Sequence, residues 1–332
     1  MKIIVIIIAF TFLTLKSFGQ PKTAKDFGIT HLVYNYKNDN VDILIKSKKG
    51  EETLKKPLFL FCQGSLPRPL IKYDEEGLYP IFPFDTDSIS QKYHLIIISK
   101  PYIPLISSVK DLDKDYNYID SEGKIPKQYS DRNLLTYYVD RNIEIIKYLQ
   151  KQPWVSKSEL VVAGHSEGST IASKMASISK LITHLIYSGG NPFGRIMSII
   201  EKSRTTETNI TKYAEESFKY WEEVVDNKTL LNDDGQSDTF KATFEFSIPS
   251  INYMKKLKIP ILVCYGTKDF SSPFNDYLRV DCILKNRKNF QFNAYIGTEH
   301  NYFPLTAENK PNFDIYNWDK VANDWLKWLN LN

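Results

Sequence analysis

The sequence predicts an α/β protein built on a doubly wound, mostly parallel sheet of about eight strands. Three observations predict it. Short apolar runs without polar interruption recur along the chain, as in strands buried on both faces. Segments with apolar residues at helical spacing alternate with them. Three long excursions break the alternation, and each directly follows a predicted strand.

The elements come in this order. Leu32 to Ile45 alternates apolar and polar residues around Asn38-Asp39-Asn40, which predicts a β-hairpin at one antiparallel edge. Leu58 to Cys62 and Leu95 to Ile98 are continuous apolar runs. Leu134, Tyr138, Ile145 and Leu149 recur at helical spacing before Pro153 ends the segment. A strand over Glu159 to Ala163, a helix carrying Ile171, Met175 and Ile178, and a strand over Ile182 to Tyr187 follow. Then come Pro260 to Tyr265 (strand), Pro273 to Leu284 (helix), Phe290 to Ile296 (strand) and a closing helix with Trp318, Val321, Trp325 and Trp328 on one face. The excursions are Leu66 to Lys92, Tyr102 to Ser130 and Asn191 to Lys258. Excursions after strands emerge at the carboxyl edge of such a sheet, where ligands bind.

The first nineteen residues differ from the rest. Lys2 precedes a thirteen-residue apolar run, Ile3 to Leu15, and small residues at Ser17 and Gly19 precede Gln20. This is the layout of a cleaved export signal. The run is shorter than the ~20 residues of a spanning helix, which disfavours an anchor. The expected mature chain, residues 20–332, is periplasmic or secreted, without stable membrane insertion. Lys and Arg number 43 against 39 Asp and Glu; so small an excess does not suggest nucleic acid as a partner, and none is expected. Cys62, Cys264 and Cys282 are too few for a disulfide framework and read as small buried hydrophobes, with their disulfide state left open. HExxH and paired CxxC spacings are absent, so no metal and no cofactor is expected.

The chemistry centres on Leu160-Val161-Val162-Ala163-Gly164-His165-Ser166-Glu167-Gly168, an apolar strand running through G-x-S-x-G into a helix. A strand that turns sharply into a helix strains the residue at the turn and demands tiny neighbours two residues either side. Gly164 and Gly168 meet that demand, and the turn presents Ser166 Oγ at the sheet edge beside a helix N-terminus. Serine needs a base, and the base needs an orienting group. Of the five histidines, His31, His94 and His184 fall on strands and His165 points away from the hydroxyl to pack; His300 alone lies in a loop after the last strand. Asp269 is the first carboxylate after the preceding strand and its Gly266 turn. The expected catalytic set is therefore Ser166, Asp269 and His300.

With these residues placed, the chain resembles the α/β-hydrolase superfamily, whose catalytic residues run nucleophile, acid, histidine. It is similar to dienelactone hydrolases, the prolyl oligopeptidase catalytic domain and small esterases, from the first hairpin to the last helix. The resemblance implies an oxyanion hole formed by the backbone N–H of Glu167 and a second N–H after an early strand. In Gln63-Gly64-Ser65, Gln63 stands where the family commonly has His, and Ser65 supplies the candidate donor.

Arg68, just past that loop, is a candidate for holding a substrate carboxylate, and the Glu167 side chain one for a substrate amine. The excursion at Asn191 to Lys258 resembles the cap that many of these enzymes insert after the sixth strand, and its Phe193, Tyr213, Phe218, Tyr220, Trp221, Phe240, Phe244 and Phe246 fit an acyl pocket and the cap's own core equally. Three functions follow: hydrolysis of a small carboxylic ester, hydrolysis of a short peptide, or ligand binding on a hydrolase fold without catalysis.

Overall fold

A computed structural model of the protein describes residues 23–233 and 238–332. The export-signal expectation lies outside them. In chain order the strands are β1 (Thr30–Tyr36), β2 (Asp39–Lys46), β3 (Lys56–Cys62), β4 (Ile71–Tyr73), β5 (Leu78–Tyr79), β6 (His94–Ile98), β7 (Ile106–Ser108), β8 (Val155–His165), β9 (His184–Ser188), β10 (Ile261–Gly266) and β11 (Phe290–Tyr295). The helices are α1 (Asp87–Lys92), α2 (Lys127–Arg132), α3 (Leu135–Leu149), α4 (Glu167–Ile178), α5 (Arg195–Thr206), α6 (Tyr213–Asp226), α7 (Phe240–Ser247), α8 (Ile251–Met254), α9 (Ser272–Leu284) and α10 (Trp318–Leu329).

Eight strands form one sheet in the order β1-β2-β6-β3-β8-β9-β10-β11. Strand β2 runs antiparallel to both neighbours, and every other pair is parallel. The unbroken apolar runs have a direct cause. Side chains alternate across a strand, so a run buried on both faces divides between two cores. Leu58, Leu60 and Cys62 of β3 join the core under α3 and α4, while Phe59 and Phe61 join the core under α10. Val162 and Val161 of β8 divide the same way, as do Val263 and Leu262 of β10. All three cysteines are free and buried.

The first hairpin turns one residue earlier than its polar triplet suggests. Lys37 and Asn38 carry φ of 50° and 70°, the pair of positive values that a two-residue hairpin turn requires. Asp39 is thereby the first residue of β2. Its buried carboxylate accepts hydrogen bonds from the hydroxyls of Tyr102 and Tyr137 and from Arg132 Nε.

The first two excursions are not structureless. They meet in a second, three-stranded sheet ordered β5-β4-β7, in which β4 of the first pairs parallel with β7 of the second. The third excursion supplies α5 to α8 between β9 and β10, at the position expected of the cap. Of its aromatics, Trp221 stacks on Phe244 with ring centroids 6.0 Å apart, whereas Phe193 packs on α9, 5.6 Å from Tyr277.

The tryptophan face of α10 is core. Trp325 is fully buried against Phe59, Phe61 and Phe84, with centroids 5.3 Å apart for the nearest ring pair among these, Phe61 and Phe84. Trp325→Ala removes the ring on which these three converge. Urea denaturation is expected to show a loss of about 3–5 kcal/mol; a loss below about 1 kcal/mol would mean that this layer collapses around the gap.

Candidate active site

The turn between β8 and α4 carries Ser166 at φ 56° and ψ −124°. A side-chain-bearing residue rarely adopts such a conformation, and here the surroundings enforce it. The Ser166 N–H donates to the Ser188 carbonyl of β9 at 2.9 Å, and the Ser166 carbonyl accepts from both the N–H and the hydroxyl of Ser169. The two glycines of the motif are needed for contact between backbones. A Cβ on Gly164 would stand 2.0 Å from the Gly168 carbonyl oxygen, and one on Gly168 would stand 2.0 Å from that of Cys62 at the end of β3. The turn, the helix start and the end of β3 are therefore pressed together with no space for a side chain. The same closeness places Gly64 beside Ser166: a Cβ there would lie 3.6 Å from Ser166 Cβ.

The acid and the histidine come from adjacent loops at the same sheet edge. Asp269 follows β10, and its Oδ1 accepts the Ser271 N–H at 3.0 Å. Its other oxygen accepts from His300 Nδ1 at 2.8 Å. The Lys268 N–H donates to the Thr298 carbonyl at 2.9 Å, tying the two loops together. Glu299 shapes the histidine loop by accepting the backbone N–H groups of Asn301 and Phe303 at 2.8 and 3.0 Å. Burial alone would depress the His300 pKa, but the hydrogen bond and charge of Asp269 outweigh it and raise the pKa above its ordinary value. Burial pulls Asp269 the other way, and His300 with the Ser271 amide still holds its carboxyl below the usual range.

His165 packs, as its place in the turn predicts, but its position has a consequence for His300. Its buried ring lies 5.0 Å from that of His300 and 4.7 Å from Trp318, between hydrogen bonds to Ser188 Oγ and Asn301 Oδ1. Burial, then the charge of His300, push its pKa down to about 3, so it stays neutral behind the His300 ring. The remaining histidines sit elsewhere: His31 on Asp42, His94 on Ser47, His184 near Glu159.

The expected oxyanion residues flank Ser166. Glu167 opens α4, and Ser65 lines both cavities that reach the serine, its carbonyl anchored by the buried Tyr129 hydroxyl at 2.7 Å. The Glu167 side chain corrects an expectation. It is not available to a substrate amine, because its carboxylate is buried and accepts from Lys100 Nζ at 3.0 Å and from Arg195. Arg195 also pairs with Asp238, which accepts from Asn133. Burial disfavours charge on both cations. It lowers the Lys100 pKa, whereas in Arg195 the charges of Asp238 and Glu167 prevail. Sequence reasoning missed Lys100, Arg195 and Asp238. The one available signal was a lysine closing the apolar run of β6.

Two cavities meet at Ser166 and His300. The larger, about 1150 Å³, is walled by the first excursion and contains Arg68, Lys72 and many aromatic rings. The smaller, about 530 Å³, is walled by the inserted helices through Arg195, Lys202 and Phe246. Phe246 is the one cap aromatic among the eight considered that reaches either cavity.

The fold is that of the α/β-hydrolases. Residues 141–305, from α3 past the histidine loop, match the family described as BAAT / acyl-CoA thioester hydrolase C terminal. Est1E from Butyrivibrio proteoclasticus is similar over 90% of this chain and 97% of its own, at 13% identity and a TM-score of 0.51. Acylaminoacyl peptidase from Pyrococcus horikoshii matches 82% of this chain at 15% identity and a TM-score of 0.51. A dipeptidyl aminopeptidase IV homologue from Bacteroides ovatus matches 92% at 12% identity and a TM-score of 0.54. The chain spans only 37% and 36% of the lengths of those two peptidases. No curated protein matches the chain.

Glu167→Ala would leave Lys100 and Arg195 facing each other without their shared anion. Denaturation should reveal a loss of about 3–5 kcal/mol. Stability within about 1 kcal/mol of the parent would show that the network does not hold the inserted helices to the turn.

Proposed function

We propose that the protein is a serine hydrolase that cleaves a small carboxylic ester through an acyl-enzyme. The observation that carries this reading is the 2.8 Å bond from His300 Nδ1 to Asp269, with His300 and Ser166 facing the same two cavities. Asp269 fixes the imidazole with a proton on Nδ1, which leaves Nε2 as the base. His300 takes the Ser166 proton as Oγ attacks the ester carbonyl, then passes that proton to the leaving alcohol. Water repeats the sequence and releases the acid. The backbone N–H groups of Glu167 and Ser65 stabilise the tetrahedral oxyanion, each contributing about 3 kcal/mol to lowering the barrier. All of this chemistry is supplied by the chain's own groups.

The engaged Glu167 carboxylate supports an ester over a short peptide, because the amine-binding group that a peptidase reading would use is already neutralised by Lys100 and Arg195. Thioesters stand beside esters on one ground, the match of residues 141–305 to a family described by acyl-CoA thioester hydrolysis. We also propose that residues 1–19 direct export. Sequencing of the amino terminus of protein recovered from the medium or periplasm should begin at Gln20; an intact Met1 there would refute cleavage.

The catalytic reading is tested with a fluorophosphonate probe and p-nitrophenyl esters. The parent protein should be labelled, and Ser166→Ala should not; ester turnover should fall by more than about a thousandfold in Ser166→Ala and His300→Ala. The base must be neutral, and Asp269 raises its pKa. Turnover should therefore fall as pH drops through a value above the ordinary histidine pKa of about 6.5. In Asp269→Asn that value should move down. A profile flat between pH 6 and 8, or equal labelling of Ser166→Ala, would remove His300 or Ser166 from the mechanism.

A further inference from the structure

We infer that the larger cavity is built for a substrate whose apolar body carries an anionic group, held by Arg68 and Lys72. The inference rests on the acyl-hydrolysis reading above and adds the substrate class.

Three cations line this cavity with Ser166 and His300; Lys46 faces Asp87 at 4.0 Å, and Arg68 and Lys72 remain. Arg68 Nε is buried and has no hydrogen-bond partner. Lys72 Nζ reaches one protein group, the Pro69 carbonyl at 3.3 Å, which leaves donors unused. Among the described residues neither cation forms an ion pair, although the charges of Asp113 and Asp115 are felt at Arg68. Asp113 is occupied elsewhere, accepting from the Asn117 and Asp115 backbone and from Asn117 Nδ2. The cavity's own carboxylates are also used: Asp319 accepts the Asp85 N–H at 2.7 Å and Asp85 that of Asp87 at 3.2 Å.

Such a pair is costly to maintain. Burial and the neighbouring Arg68 push the Lys72 pKa down to about 8, and burial lowers that of Arg68. Two half-buried cations without a direct ion pair, one with an orphaned Nε, fit a site whose missing partner is a ligand anion. The fork of Arg68 suits the paired oxygens of a carboxylate or phosphate, and Lys72 adds a point charge. The remaining wall is apolar and aromatic, with Phe61, Phe82, Phe84 and Trp318 packed beneath it. That wall suits a bulky hydrocarbon or aryl body between the scissile bond and the anion.

The test measures kcat/KM for three esters at pH 7: p-nitrophenyl butyrate, which is neutral; mono-p-nitrophenyl glutarate, with the anion in the acyl half; and 4-carboxyphenyl butyrate, with the anion in the leaving half. The parent should prefer one of the anionic esters over the neutral one. The anionic-to-neutral ratio should fall roughly tenfold to a hundredfold in Arg68→Met/Lys72→Met, whose folding is checked by thermal melting. Competition by 3-phenylpropionate against phenyl phosphate then tells a carboxylate site from a phosphate site, and inhibition by neither would overturn the proposal. An unchanged ratio in the double variant, or no preference in the parent, would equally overturn it while leaving the serine hydrolase reading intact. Failure of the parent to turn over any ester or to react with the fluorophosphonate would instead reject the underlying catalytic reading, and this inference with it.

Discussion

The close approach of three backbones at Gly164, Gly168 and the Cys62 carbonyl is the constraint on which the rest of the site depends. A Cβ at either glycine would fall 2.0 Å from a carbonyl oxygen. With no side chain between them, the end of β3 lies against the first turn of α4, and Ser166 is forced to φ 56°. That strain is sustained by hydrogen bonds on both sides of the serine and by the parallel pairing of β8 with β3 and β9. The consequences are positional. Ser166 stands clear of the sheet edge, the Glu167 N–H opens a helix beside it, and the Gln63-Gly64-Ser65 loop is held within reach.

Electrostatics then joins this rigid turn to the inserted helices. Glu167 continues the helix with its backbone, while its buried side chain gathers Lys100 from the end of β6 and Arg195 from the start of α5. A buried carboxylate between two cations is stabilising only as a complete set, since any one charge left alone is strongly penalised. The set therefore specifies where α5 begins and how the smaller cavity is walled. On the other side of the serine, His165 stays neutral under Trp318 and supports the His300 ring without competing for a proton.

The two excursions that form the second sheet give the larger cavity a wall with its own hydrogen-bonded frame. Such a frame keeps Arg68 and Lys72 in place although burial disfavours charge on both. The aromatic layer below, from Phe82 to Trp325, belongs to the same core that α10 closes. The cavity floor and the fold's stability thus share residues, which limits how far the floor can vary.

Most of the architecture, and the placing of Ser166, Asp269 and His300 around one sheet edge, were legible in the sequence. The reason is that these features are local: unbroken apolar runs report strands buried twice, helical spacing reports helices, and small residues around a serine report a strained turn. What only the tertiary structure decided involves residues far apart in the chain. The pairing of β4 with β7, the gathering of Lys100, Arg195 and Asp238 around Glu167, and the meeting of two cations in one cavity leave no periodic trace, because a charged residue looks alike on a surface and in a buried network until its partner is placed. The turn of the first hairpin marks the boundary between the two. Its polar triplet was plain in the sequence, but packing decided that Asp39 should leave the turn, enter β2 and accept the bonds of Tyr102, Tyr137 and Arg132.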